Sequence, residues 1–240
     1  MTAMSVNDDK SFYITQICIL TLSALCLIFI YPLTQLDEAL INPYYDPVTH
    51  QFLLKKDFLL EMFMHKGLKY LMMIIALITC WLWMASFKFD HLRNHRSALI
   101  YTFIGMVIAT TAVSLTKRFS PHACPWDLSL YGGDQPLLAL FEPLPSGINL
   151  GQCFPAGHAS GGFALWSFYF FFRNSQPKVA ITGLYAGAFF GAVMGWAQMM
   201  RGAHFMSHNL WSAWLVWLVL LTLYFVSNQS LSHKHPIYRN

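Results

Sequence analysis

The chain has 240 residues, of which 56% are hydrophobic and 16% aromatic against only 11% charged, a composition poor for a water-soluble domain and ordinary for a multispanning membrane protein. Its net charge of +4 is spread through connecting segments with no basic stripe, which excludes a nucleic-acid-binding surface and leaves cationic flanks of membrane spans as the explanation. No repeat, linker or low-complexity tract divides the sequence, so residues 1–240 read as a single integral membrane domain.

A helix crossing roughly 30 Å of hydrocarbon needs about 20 apolar residues. Six windows approach this, at residues 13–31, 67–87, 98–116, 155–172, 179–199 and 205–226. They predict an all-α, six-transmembrane-helix bundle. The first window follows Asn7, Asp8, Asp9 and Lys10 and has neither a basic start nor a small-residue cleavage site, so it is expected to remain as an anchor. With the N-terminus inside, the inner connections carry Lys10, Lys88, Arg93, Arg96, Arg173, Lys178, Lys234 and Arg239. The outer ones carry Lys55, Lys56, Lys66 and Lys69, then Lys117, Arg118 and Arg201. Once the last three are set aside as site candidates, the basic bias favours both termini inside. In a Gram-negative bacterium this is the inner (cytoplasmic) membrane, with the connection between the third and fourth spans in the periplasm.

The first outer connection starts with the turn-forming run Asn42, Pro43, Tyr44, Tyr45, Asp46 and Pro47. It continues with Phe52, Phe58, Leu59, Met62 and Phe63 interrupted by charges. That pattern fits either an interfacial helix or an outward extension of the second span. The second outer connection, residues 117–153, contains Pro121, Pro125, Pro136, Pro143 and Pro145 with Gly132, Gly133 and Gly147. These residues forbid a long helix and favour a folded cap over the outer mouth. Cys124 and Cys153 lie within it, where an oxidising compartment permits a disulfide, the alternative being two free thiols. Cys18, Cys26 and Cys80 fall in apolar windows and read as small apolar residues. The fifth window carries Gly183, Gly187, Gly191 and Gly195 on nearly one helix face, suited to close packing on a neighbouring span or to dimerisation.

Three stretches at the ends of apolar windows carry groups suited to phosphate chemistry. Lys117 and Arg118 end the third span, where cations either anchor a helix at the interface or clamp phosphate oxygens. Phe154, Pro155, Ala156, Gly157 and His158 read as a helix start, with proline in the first turn and free amides that attract an anion. His158 would then stand beside the anion as a proton donor. Arg201, Gly202, Ala203 and His204 open the last span, with His208 four residues on along the same helix face. Two readings of that pair stay open here: a nucleophilic His204 oriented by a partner one turn later, or two metal ligands at i and i+4.

In order and spacing these stretches resemble the three signatures of the phosphatidic acid phosphatase type 2 superfamily. Lys117 is followed by Cys124 and Pro125 where the family has arginine and proline. Pro155, Ala156, Gly157 and His158 match its second signature with alanine for serine. His204 fits the third, with Ala197 and Gln198 in place of serine and arginine and His208 in place of aspartate. The run Cys124, Pro125, Trp126 and Asp127 is similar to membrane-associated members of an atypical branch. The resemblance implies a cofactor-independent, metal-independent lipid phosphatase. Lys117, Arg118, Arg201 and the Gly157 amide would bind phosphate, His204 would attack phosphorus to give a phosphohistidine, His158 would protonate the leaving oxygen, and Asp127 would stand in for the missing carboxylate. The implied partners are a phosphorylated lipid and the bilayer. A phosphotransferase of the same fold, and a metal-dependent or inactive lipid-binding protein, are the other functions weighed. Neither the lipid nor the oligomeric state is legible.

Overall fold

The computed structural model describes the backbone of residues 6–234 and the side chains of residues 10–228; Arg239 and the side chain of Lys234, used above for orientation, lie outside them. In chain order the helices are α1 Val6–Leu25, α2 Leu36–Ile41, α3 Leu68–Ala85, α4 Asp90–Arg93, α5 Arg96–Arg118, α6 Gly157–Phe163, α7 Trp166–Phe172, α8 Pro177–Met200 and α9 Met206–Lys234. Among the described residues, five helical stretches are long and apolar enough to cross a membrane: Lys10–Leu33, Leu60–Ala85, Arg96–Arg118, Pro177–Met200 and Met206–Asn228. The protein is therefore a multi-pass, predominantly helical membrane protein.

The window at 155–172 folds as two seven-residue helices, α6 and α7, neither of which spans a bilayer alone. Tight i→i+3 bonds join them: Leu165 N donates to Gly162 O (3.1 Å), Ser167 N to Ala164 O (3.1 Å) and Phe168 N to Leu165 O (3.0 Å). Gly157, Gly161 and Gly162 propagate a helix poorly. Gly162 is also pressed so closely on α8 that a Cβ there would lie 2.3 Å from Gly191 N. Packing, not propensity, fixes this segment.

Of the two readings of the first outer connection, the outward extension is the one seen. Residues Leu60–Gly67 form a π-helical stretch continuous with α3, and the Lys66 ammonium lies 2.9 Å from Glu61 Oε1 along it. Before it, Tyr45–Asp46 and Gln51–Phe52 pair as a two-stranded antiparallel ribbon that the helical reading did not foresee.

The bundle is organised around α5, α6, α7 and α9, whose buried residues include Ala109, Val113, Ala159, Phe163, Phe170, Val216 and Leu220. α1 is tied to α9 by indole donors: Trp214 Nε1 to Leu20 O and Trp217 Nε1 to Gln16 Oε1, both 2.9 Å. A second apolar cluster of Ile41, Phe52, Leu128, Tyr131, Met199 and Phe205 joins the 119–156 connection to the ends of α8 and α9. The ends of this connection are zipped together by Gly151 N to Pro121 O (3.1 Å), Gln152 N to Ser120 O (3.0 Å) and Cys153 N to His122 O (2.9 Å), and by the Cys124–Cys153 disulfide.

The glycine face of α8 packs within the chain. A Cβ at Gly183 would meet Phe168 Cβ at 2.4 Å, at Gly187 Trp166 Cδ1 at 2.5 Å, at Gly191 Phe163 Cδ1 at 2.2 Å and at Gly195 Asn209 Cγ at 2.7 Å. This close contact of α8 with α6, α7 and α9 holds the two short helices of the 155–172 window in place. Gly191→Ala is expected to cost about 1–3 kcal/mol through overpacking. Gly161→Ala, whose new methyl would meet Met194 Cε at an ordinary 3.7 Å, should cost much less. Thermal unfolding of the detergent-solubilised proteins compares them, and equal losses would mean that the α8 face tolerates separation.

Candidate active site

The α8–α9 turn is set by a glycine. Gly202 has φ +75°, a conformation that side chains with a Cβ rarely adopt. Gly202 N donates to Met199 O and Ala203 N to Gln198 O, both 2.9 Å, the paired bonds of a Schellman helix end. α9 then begins at Met206, so His204 lies just outside the helix, a correction to the expectation that His204 and His208 share one helix face. The rings still meet. Asp37 of α2 accepts from Ser207 N (2.8 Å) and from Ser207 Oγ, capping α9 from 170 residues away and fixing where it starts. Burial raises the Asp37 pKa against these bonds.

His204 is 2% exposed and His208 4%. Their Nδ1 atoms lie 3.4 Å apart, a hydrogen bond in which one ring donates and the other accepts. The disulfide sulfur of Cys153 lies 3.5 Å from His204 Nδ1 and 3.0 Å from Ala203 O. Phe154 and Phe205 set their ring edges against His208 at 5.4 and 5.5 Å. Burial first, then His208 and Lys117, holds the His204 pKa well below the usual histidine value. It is an uncharged imidazole at neutral pH. Cys153, His204 and His208 present three ligand atoms within 4.8 Å of one another, with Cys153 tied up in its disulfide.

The second stretch is anchored on α9. Ala156 N donates to His208 O (3.1 Å), and Ser212 Oγ donates to Ala156 O (2.8 Å). Ala156 is the N-cap of α6 and Gly157 its first residue, so Pro155 stands before the cap and not in the first turn as expected. A cavity of about 480 Å³ opens beside Gly157 and His158, between α3, α5, α6 and α8. Lys69, Lys117 and Ser160 line its polar end and Met72, Met106, Val107 and Met194 its apolar end. Lys117 crosses over Gly157, its Cδ 3.8 Å from where a Cβ would sit. His65, Lys117, Lys69 and Arg201 all lie within electrostatic reach of His158, and the His65 ring rests on it at a centroid separation of 4.1 Å.

The expected residues therefore divide. Lys117, Gly157 and His158 share one cavity wall, with Arg201 and the buried His204 within electrostatic reach of His158, whereas His208 lines a separate cavity of about 420 Å³ with Asp37, Phe154 and Ser207. Arg201 is steadied at the end of α8, its Nε donating to Lys55 O (3.2 Å) and its Nη1 to Gln198 Oε1 (3.4 Å). Arg118, about 100° round the helix from Lys117, is exposed and does not line the cavity. Asp127 does not stand behind His208. Its carboxylate accepts from Trp126 Nε1 (2.8 Å) and faces Lys55 within the cap, with its pKa raised by burial. His65, Lys69 and Asp37 were missed as site residues. Only the basic run around Lys66 hinted at the first two, and nothing local marks Asp37.

Long apolar helices around a cavity lined by one imidazole and two ammonium groups define a membrane-embedded protein with a cationic pocket near one end of the bundle. The family model of the PAP2 superfamily matches residues 97–231, more than half of the chain, and the chain belongs to that superfamily. No curated protein and no solved structure matches it. The matched region contains all three stretches but not His65 or Lys69.

Because the folded chain resists a proton at His204 that the unfolded chain takes up near pH 6.5, its contribution to stability is complete above that pH and is lost as the pH falls below it. Replacing His204 with the non-titrating Asn should flatten this part of the slope. Unfolding midpoints between about pH 8 and pH 5 measure it; an unaltered slope would assign the dependence to other groups.

Proposed function

We propose that this protein is a lipid phosphatase that hydrolyses a phosphomonoester or pyrophosphate of a membrane lipid at the outer face of a bacterial inner membrane. The observation that carries the reading is the joining of Lys117, Gly157 and His158 in one cavity next to His204, with no carboxylate among the residues that line it. Among the described residues, Lys66–Glu61 is the ion pair formed; Arg201 feels the Glu61 carboxylate only at longer range, and Lys69 and Lys117 form no ion pair with a carboxylate. A phosphate would supply the anionic partner.

The lipid nature of the substrate is supported by the other end of the cavity. Its lining includes Met73 and Val107, which are 50% and 44% exposed on the bilayer-facing surfaces of α3 and α5. An acyl or prenyl chain can thus lie against apolar side chains while its headgroup meets the cations. The helix directions support the outward orientation: α5 runs from Arg96 towards Lys117, and α8 from Lys178 towards Arg201. Arg96, Arg173 and Lys178 therefore lie at the end opposite the cavity's cations, and once Lys117, Arg118 and Arg201 are set aside as site candidates the positive-inside bias favours a periplasmic cap.

Lys117, Arg201 and the Gly157 amide hold the phosphoryl oxygens. His204 donates its Nδ1 proton towards His208, which leaves the Nε2 lone pair to attack phosphorus in line. Burial and the cations around it push the His158 pKa down to about 3 in the empty site, so His158 takes up a proton as the phosphate anion enters beside it, gives that proton to the departing oxygen, and water then releases phosphate from the phosphohistidine. His204 is buried, so entry of the phosphate uncovers its free edge; the cavity-lining groups closest to it in electrostatic effect are Lys117 and His158. Hydrolysis and transfer to a second acceptor share the first half of this sequence, and product analysis with a labelled donor separates them.

Purified protein should release phosphate from one or more of phosphatidic acid, phosphatidylglycerol phosphate and undecaprenyl pyrophosphate, with or without chelator. His204→Ala should abolish release while the protein stays folded, and His158→Ala should slow it about 100- to 10,000-fold. Lys117→Ala should cost on the order of 100-fold, whereas Arg118→Ala should leave most activity. Full activity in folded His204→Ala protein would remove the mechanism, and no release from any of these lipids would remove the function.

A further inference from the structure

We propose that Cys153, His204 and His208 form a latent site for a zinc-like transition metal, closed while Cys153 is bonded to Cys124 and opened when that disulfide is reduced. Two of the three separations between the ligand atoms already match those of a coordination shell. With Zn–N of about 2.0–2.1 Å and Zn–S of about 2.3 Å, a tetrahedron has edges of about 3.4 Å between nitrogens and about 3.6 Å between nitrogen and sulfur. The corresponding separations are 3.4 Å between the two Nδ1 atoms and 3.5 Å between His204 Nδ1 and Cys153 Sγ. All three ligand atoms lie within 4.8 Å of one another, and all three residues are buried. Two neutral imidazoles and one thiolate form a ligand set that divalent zinc and cobalt prefer.

In the oxidised protein the sulfur is bonded and carries no charge, so a divalent ion entering this buried place would lack the anion needed to offset its desolvation. Reduction by a dithiol converts the Cys124–Cys153 bond to two thiols as the reductant becomes a disulfide. Metal binding then releases the Cys153 thiol proton to solvent, leaving the thiolate as ligand. Cys153 does not have to travel, because its backbone is held by Cys153 N to His122 O at 2.9 Å.

Ligation through Nδ1 forces the remaining proton of each neutral ring onto Nε2. A metal at this place would therefore take from His204 the lone pair that attacks phosphorus. That consequence rests on the proposed role of His204, whereas the binding itself does not. The disulfide thus has a chemical role beyond holding the cap: it keeps a soft anionic ligand away from the imidazole pair.

Cobalt(II) is the probe, added to the full-length protein in detergent with and without a reductant. The reduced protein should bind one equivalent with the absorption of tetrahedral, thiolate-ligated cobalt, and the oxidised protein should not. Cys124→Ser should bind it without reductant, while Cys153→Ser and His208→Ala should weaken binding at least about 100-fold even when reduced. Should Cys124→Ser fail to fold, the reduced wild-type chain carries the comparison. Zinc should suppress phosphate release by Cys124→Ser protein at least about tenfold, reversibly with chelator. Absence of the thiolate signature in reduced protein, or equal binding by Cys153→Ser, would overturn the site. Metal bound with phosphate release unchanged would keep the site and instead overturn the assignment of His204 as nucleophile.

Discussion

The junction between the α8–α9 turn and the cross-linked end of the cap orients an imidazole that water cannot reach. Gly202 ends α8 in a left-handed conformation, and its carbonyl accepts Trp126 N at 2.9 Å from the cap. A Cβ at Gly202 would meet the Phe52 ring at 2.3 Å, so the β-ribbon presses on the same residue. One residue on, Ala203 O touches the disulfide sulfur, and the next residue is His204. Asp37 fixes the start of α9 and hence His208, whose carbonyl in turn receives Ala156 N at the head of α6. These contacts couple the second and third stretches: a shift of the turn would displace His204 from His208 and α6 from α9 together.

The arrangement is costly without an anion. Lys69, Lys117 and Arg201 gather with the rings of His65 and His158 at one end of the bundle, where the low-dielectric surroundings strengthen repulsion as much as attraction, and Glu61, already paired with Lys66, offsets only part of it. The apolar packing of Met72, Met106, Ala164, Leu165 and Met194 below them is indifferent to charge. Such a cluster is stable because the scaffold over-determines it: Lys117 rides on a 23-residue helix, and Arg201 is held by Gln198 and the Lys55 carbonyl. Stability of the fold is given up locally where chemistry needs unpaired cations.

What the sequence made legible was what depends on short-range pattern. Apolar windows located five spans. The spacing of Gly183 to Gly195 announced a face that packs closely, and the positions of Cys124 and Cys153 in a proline-rich connection announced the cross-link. That the 155–172 window folds as two short helices and not one span was not legible, because hydropathy counts apolar residues and does not see that Gly162 is wedged on Gly191. Nor was the displacement of Pro155 to before the helix cap. Arg118 and Lys117 are equivalent in sequence, and only helix phase decides that one lines the cavity while the other is exposed. His65 and Asp37 reach the site through tertiary contacts spanning about 90 and 170 residues, His65 against His158 and Asp37 at Ser207, and no local rule carries that information. Asp127 was chosen for its type, yet a neighbouring indole occupies it.

The histidine at position 208 alters the electrostatics of the proposed reaction. When His204 bonds to phosphorus its ring becomes cationic, and an aspartate at 208 would meet that charge with a negative one. A neutral imidazole 3.4 Å away offers a lone pair but no charge, and Lys117 is close enough to oppose the change. On the proposed mechanism the balancing charge therefore has to arrive with the substrate: the non-bridging phosphoryl oxygens, held by Lys117 and Arg201, are the anion that a carboxylate supplies elsewhere. A doubly ionised phosphate meets this need better than a singly ionised one, so the absent carboxylate itself makes turnover depend on substrate ionisation. The same replacement puts at position 208 a ring nitrogen that bonds to His204 and that the proposed metal site would recruit, which on that proposal ties the reactivity of the pair to the oxidation state of the sulfur beside it.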